Sequence, residues 1–192
     1  MYHESRILFH LVFILIIVPS LYSQEAFSPG YVILNSGDTL HGQVRDRDLS
    51  RDAIFKKVRF REEHHGTKRY GPYDIEGYRI GDIEFDSRWF EEEAEFFKFF
   101  YFCRAGVGEK TFLKVLERGE LTCYYREYID PDSGYPDGYE LFQRAGEDHF
   151  ERATQGILGL KMKRLSAYFA DCPSLVRQIN NGEIRTPGEM AD

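Results

Sequence analysis

Short apolar-rich runs bounded by polar, turn-forming clusters recur along the first two-thirds of the chain, a pattern that predicts strands. YVIL (31–34) and TLHGQV (39–44) flank the turn-forming run Asn35-Ser36-Gly37-Asp38. A two-residue Ser36-Gly37 loop would set Leu34 against Thr39, Ile33 against Leu40, Val32 against His41 and Tyr31 against Gly42. In that register an aromatic ring covers a bare glycine. AIFKKVRFRE (53–62) reads as a further strand, and KRYGPYDIEGYRIGDIEF (68–85) as strands broken at Gly71-Pro72 and Gly81-Asp82. EEHHGT (62–67) is a polar connection between them. RWFEEEAE (88–95) is expected to form a short helical turn with its acids exposed. FFKFFYFC (96–103) has the aromatic density of a strand buried on both faces.

TFLKVLERGELTCYYREY (111–128) is predicted as a hairpin about Arg118-Gly119. Its simplest register opposes Leu116 to Leu121, Lys114 to Cys123 and Phe112 to Tyr125. IDPDSGYPDG (129–138) is a loop by composition, and YELFQRA (139–145) a return strand. After Gly146 the pattern changes: Leu158, Met162, Leu165 and Phe169 recur at helical spacing. Asp171-Cys172-Pro173 then starts a second helix, whose apolar side is Leu175, Val176 and Ile179 and whose stop is Asn180-Asn181-Gly182. The expected fold is α+β, a mostly antiparallel sheet of about seven to nine strands, curved or partly closed, with two C-terminal helices. The helices are placed at about 157–170 and 173–181, ahead of a flexible tail, 183–192.

The N-terminus adds a destination. MYHESR (1–6) precedes ILFHLVFILIIV (7–18), apolar throughout apart from His10, and Pro19, Ser20 and Ser23 follow. That is the pattern of a signal peptide, too short for a permanent membrane helix, with an uncleaved membrane anchor as the competing reading. Residues 1–23 are expected to be removed on export, leaving 24–182 as a single β-rich domain with no transmembrane segment. The destination is the periplasm, the outer envelope or the exterior. A net charge of −7 argues against a nucleic-acid surface.

The candidate chemistry is thin. Cys103, Cys123 and Cys172 lack zinc-site spacing. Were strand 97–104 paired with 110–117, Cys103 and Cys123 would lie two strands apart, about 9–10 Å, beyond disulfide reach. A bridge from Cys172 to either of them, or no bridge, stays open. Thr39 and His41 share a strand face, but Asp38 sits in the turn and no nucleophile is tied to them. His64 and His65 diverge, and Arg59, Arg61, Lys68 and Arg69 around them repel a cation. The acids Asp130, Asp132 and Asp137 fail the calcium-loop pattern, because Leu141 stands where the bidentate Glu belongs. GVGEKT (106–111) carries Glu109 where a phosphate loop needs glycine, and EEEAE (91–95) reads as a solvated acidic face. No metal and no cofactor is predicted.

A signal peptide ending in Ser-Gln followed by GYVILNSGDTLHGQV (30–44) resembles the start of uncharacterised exported β-rich proteins of Gram-negative bacteria. The resemblance continues through YGPYDIEGYRI (70–80), TFLKVLERGELTCYYR (111–126) and YFADCPSLVRQI (168–179). It implies an envelope or secreted module without an assigned activity, and no catalytic residue is carried over. The expected function is therefore non-enzymatic binding of a protein or glycan partner. Its contact candidates are His41 and, if they face solvent, Tyr124, Tyr125 and Tyr128. Two alternatives remain: a small hydrolase acting on envelope or extracellular polymer, and an assembly or stress accessory using an unpaired cysteine.

Overall fold

The computed structural model describes residues 27–47, 57–62, 65–96, 98–154, 160–187 and 190. The expected signal peptide, residues 53–56 of the third predicted strand, His64 and the predicted helix start at 157–159 lie outside them. The described residues form β1 (Ser28–Leu34), β2 (Thr39–Arg45), β3 (Val58–Arg61), β4 (Thr67–Tyr70), β5 (Ile75–Ile80) and β6 (Ile83–Glu95). They continue with β7 (Lys98–Phe102), β8 (Glu109–Glu117), β9 (Leu121–Ile129), β10 (Pro136–Arg144) and β11 (His149–Arg152). Two helices follow, α1 (Met162–Tyr168) and α2 (Pro173–Asn180).

Strand order is β4-β3-β2-β1-β5-β6-β7-β11-β10-β9-β8, and β6 pairs with β8 as well. The second pairing closes six strands into a barrel, from which β5, β1, β2, β3 and β4 extend as a meander. The α+β architecture with a mostly antiparallel sheet and two C-terminal helices is as expected, with eleven strands among the described residues rather than seven to nine.

Closure depends on β6, 13 residues long. Its stretch Glu84–Phe90 pairs with β8, and Glu91–Glu95 pairs with β7. The helical turn expected at 88–95 is thus a strand. Backbone pairing to β7 and β8 holds it extended, and Arg104 bridges Glu91 and Glu93, which offsets the repulsion between the acids. β7 also departs from expectation. Tyr101 is buried, but Phe99 is 44% exposed and Phe96, at the hairpin tip with φ 43°, is 88% exposed. One face of β7 meets the barrel interior, while Phe100 on the other lies under the Arg164 guanidinium. Because β7 pairs with β6 and β11, the pairing assumed for the cysteine distance does not exist, and all three cysteines are free.

Turn chemistry shifts two registers. Gly37, at φ +88°, ends a three-residue loop, Asn35 to Gly37, so Tyr31 faces His41 and Gly30 faces Gly42. The ring filling the space at Gly42 is Phe60 of β3, 2.9 Å from where a Cβ would stand. On β8 the turn already sets Glu117 opposite Cys123, and a bulge between Val115 and Glu117 shifts the pairing by one step, leaving Lys114 opposite Tyr125.

Alternation along the wall produces three cores. Inside the barrel lie Phe90, Tyr101, Leu113, Tyr124, Tyr139, Leu141 and Phe150. On one outer flank the meander buries Val32, Val44, Val58, Phe60, Ile75 and Tyr78 against Phe85 and Phe112. On another, Leu165, Phe169 and Ile179 of the helical segment cover Cys123, Phe142 and Ala153. Adjacent pairs such as Phe112-Leu113 and Leu141-Phe142 therefore point into different cores, which accounts for the unbroken apolar runs in β8 and β10.

A cluster of ions around a buried arginine pins the meander to the barrel. Arg47, 3% exposed just after β2, lies 2.5 Å (Nη2) from Glu127 Oε2 on β9 and 3.2 Å (Nε) from Asp46 Oδ1. Tyr78 donates its hydroxyl to Asp46 Oδ1 at 2.5 Å. The Arg47 guanidinium also sits 4.6 Å above the Phe85 ring.

Candidate functional site: the barrel mouth

Residues two apart on a strand share a face, so the inner wall can be followed upward from the apolar core. On β9 it runs Tyr124, Arg126, Tyr128; on β10 Tyr139 stands one step from Leu141; on β11 Arg152 follows Phe150. The core thus gives way to polar heads at the end where β6, β9 and β11 finish and β8 and β10 begin. There a cavity of about 590 Å³ opens, lined by residues of every barrel strand. Phe90, Glu91 and Glu92 come from β6, Phe99 and Tyr101 from β7, Glu109 from β8, Arg126 and Tyr128 from β9, Tyr139 from β10 and Arg152 from β11. Gly108 completes the lining at φ +76°; a side chain there would run into the Phe90 carbonyl, so glycine lets the β7–β8 connection close against β6.

Two arginines lie over the aromatic wall. The Arg126 guanidinium is 4.1 Å above Phe90 and 5.9 Å from the centre of Tyr139. Its Nη1 donates to the Tyr139 hydroxyl at 3.2 Å, and its Nη2 is 3.7 Å from Glu109 Oε1. Arg152 lies 4.1 Å above the Tyr139 ring and donates from Nη1 to the Tyr101 hydroxyl at 3.2 Å. Both Nε atoms are buried and without a hydrogen-bond partner. Tyr139 also neighbours Tyr101 and Tyr128, at centroid separations of 5.5 and 5.8 Å. Of the acids, Glu91 is engaged by Arg104, and Glu92 is exposed at the rim. Tyr128 donates to Asp137 Oδ2 at 3.0 Å, and burial raises its phenol pKa, aided by that bond.

Burial likewise pushes the phenols of Tyr78, Tyr124, Tyr139 and Tyr168 up from the ordinary value near 10. A raised folded-state pKa means that stability is fully present below the unfolded value and lost as pH climbs through the folded one. Denaturation midpoints are therefore expected to fall steeply above about pH 10, with tyrosinate absorbance rising in step with unfolding. Complete tyrosine ionisation in a protein that remains folded would contradict this.

Of the four contact candidates read from the sequence, the structure brings Tyr128 to the mouth. Tyr124 is buried below it, 3% exposed, with its hydroxyl on Asp86 Oδ2 at 2.8 Å, so it does not face solvent. Tyr125 is on the outer face of the wall, its ring filling the space beside Gly138. His41 is exposed on the meander, edge-on to Tyr31 at 5.8 Å. Of the predicted 129–138 loop, Ile129 belongs to β9 and 136–138 to β10, whose backbones pair there; in the remainder Asp130 Oδ1 accepts the backbone N–H groups of Asp132 and Ser133, a turn-closing role. Among the described residues no group of three or more His, Cys, Asp or Glu is placed to hold a metal, and no helix is long and apolar enough to cross a membrane.

Sequence reasoning missed Arg126, Arg152, Tyr101 and Tyr139. One signal was present: in Tyr124-Tyr125-Arg126-Glu127-Tyr128 the arginine is in phase with two tyrosines, a cation on an otherwise aromatic face. No family model, curated protein or solved structure matches the chain.

Proposed function

We propose that the protein is an exported, non-enzymatic binding module, and that its ligand is the end of an envelope or extracellular glycan seated in the barrel mouth. The observation that carries this reading is the cavity itself. Six strands build one concavity within the roughly 300–1,000 Å³ range of small-molecule seats. Its wall joins aromatic faces, which suit the C–H face of a sugar ring, to hydroxyl, guanidinium and carboxylate heads, which suit its hydroxyl groups. A chain end enters such a seat, whereas the convex surface of a folded partner does not. Export rests on the N-terminal apolar run described above.

Binding is preferred over hydrolysis because, among the described residues, no Ser, Thr, Cys or His lines the mouth to form a nucleophile–base couple. Hydrolysis there would rest on Glu92 and Glu109. Capture from intact envelopes tests the two readings, with wild type compared to Glu92→Trp, which puts a bulky ring at the exposed rim. Wild type is expected to retain glycan at least about tenfold better than the variant. Equal retention would remove the mouth from the account. Release of new reducing ends, lost in Glu109→Gln, would establish the hydrolase instead.

A further inference from the structure

We infer that the group recognised in the mouth is a carboxylate, so that the glycan end is an acidic sugar, with Arg152 as its anchor. This rests on the mouth being the glycan seat. Arg126 and Arg152 lie against the same ring, Tyr139, inside a closed barrel. Two neighbouring, partly buried cations repel each other unless an anion lies between them. Several other arginines have an acid: Arg47 has Asp46 and Glu127, Arg118 has Asp86, Arg144 has Asp171 and Arg164 has Glu151. Arg88 has the Gln143 amide oxygen in place of one. Arg152 has neither. Among the described residues no carboxylate lies within ion-pair distance of it, and its Nε is buried without an acceptor. Its guanidinium is held by a ring face and a phenol hydroxyl, which orient the planar fork without neutralising it. Lys161 adds positive potential nearby; burial, then Arg152 and Arg164, lower its pKa.

The acids of the mouth narrow the choice of anion. Glu92 at the rim, Glu109 beside Arg126 and Glu91 on Arg104 would repel a densely charged phosphate or sulfate. A sugar acid offers one carboxylate to the arginine fork and hydroxyl donors to those glutamates. Its ring face can rest on tyrosine. Guanidinium and carboxylate match as a bidentate, charge-assisted pair.

Calorimetric titration of the whole protein provides the test. Three tetrasaccharides of equal length are compared: one ending in a hexuronic acid, one neutral and one sulfated. The uronate is expected to bind about tenfold or more tightly than the neutral sugar. Added salt should weaken the uronate and leave the neutral sugar unchanged. Arg152→Gln, checked for an unchanged denaturation midpoint, should abolish the preference while the weak neutral binding survives; if that variant does not fold, the wild-type salt series decides. Equal wild-type affinity for uronate and neutral sugar overturns the carboxylate while leaving the mouth as a glycan seat. Tighter binding of the sulfated sugar overturns it as well. Failure of all three sugars to bind, with envelope capture indifferent to Glu92→Trp, overturns the seat itself.

Discussion

Arg47→Met is expected to lower the unfolding free energy by about 3–5 kcal/mol, because it leaves Asp46 and Glu127 without the buried cation that both contact. Arg47 is 3% exposed and joins the end of β2 to Glu127 on the barrel wall, so its loss detaches the meander from β9 as well as breaking a pair. Adding Glu127→Gln should recover part of the loss, since the uncompensated carboxylate is then gone. Urea denaturation of both variants is the measurement. A single-variant loss under about 1 kcal/mol would show that the cluster is solvated and that hydrophobic burial alone fixes the meander.

The second large effect is expected inside the barrel. Phe150 is 1% exposed, with Phe90 and Tyr124 rings each 6.0 Å away, and it precedes Arg152 by two residues on the same face. Phe150→Ala should cost about 3–5 kcal/mol, the range for removing a buried ring that its neighbours cannot replace. It should also weaken sugar binding, because Phe90 and Tyr101 lose support beneath the mouth. Stability and affinity measured on the same sample separate the cases: lost stability with wild-type affinity would mean that the floor does not position the site.

Much of the fold was legible because single residues enforced it. Gly71-Pro72 and Gly81-Asp82 broke strands where expected, and Pro173 opens the last helix at the predicted place. What escaped depended on partners remote in sequence. The acids of β6 looked helical until β7 and β8 supplied their backbone partners, and Gly37 set a loop one residue longer than its neighbours suggested. β11 is four residues, too short to show alternation, yet it delivers Arg152. The site was less legible than the fold because it is a property of closure. Arg126, Tyr139 and Arg152 come from three strands, and only the barrel makes them neighbours.

That the barrel mouth is the ligand seat is tested most directly by amide shift mapping of the isotope-labelled protein during titration with the uronate-ended tetrasaccharide. The largest shifts are expected at residues 90–92, 99–101, 108–109, 126–128, 139 and 152, around the cavity. Shifts centred instead on the outer meander around His41 and Tyr31, with the mouth silent, would contradict the account.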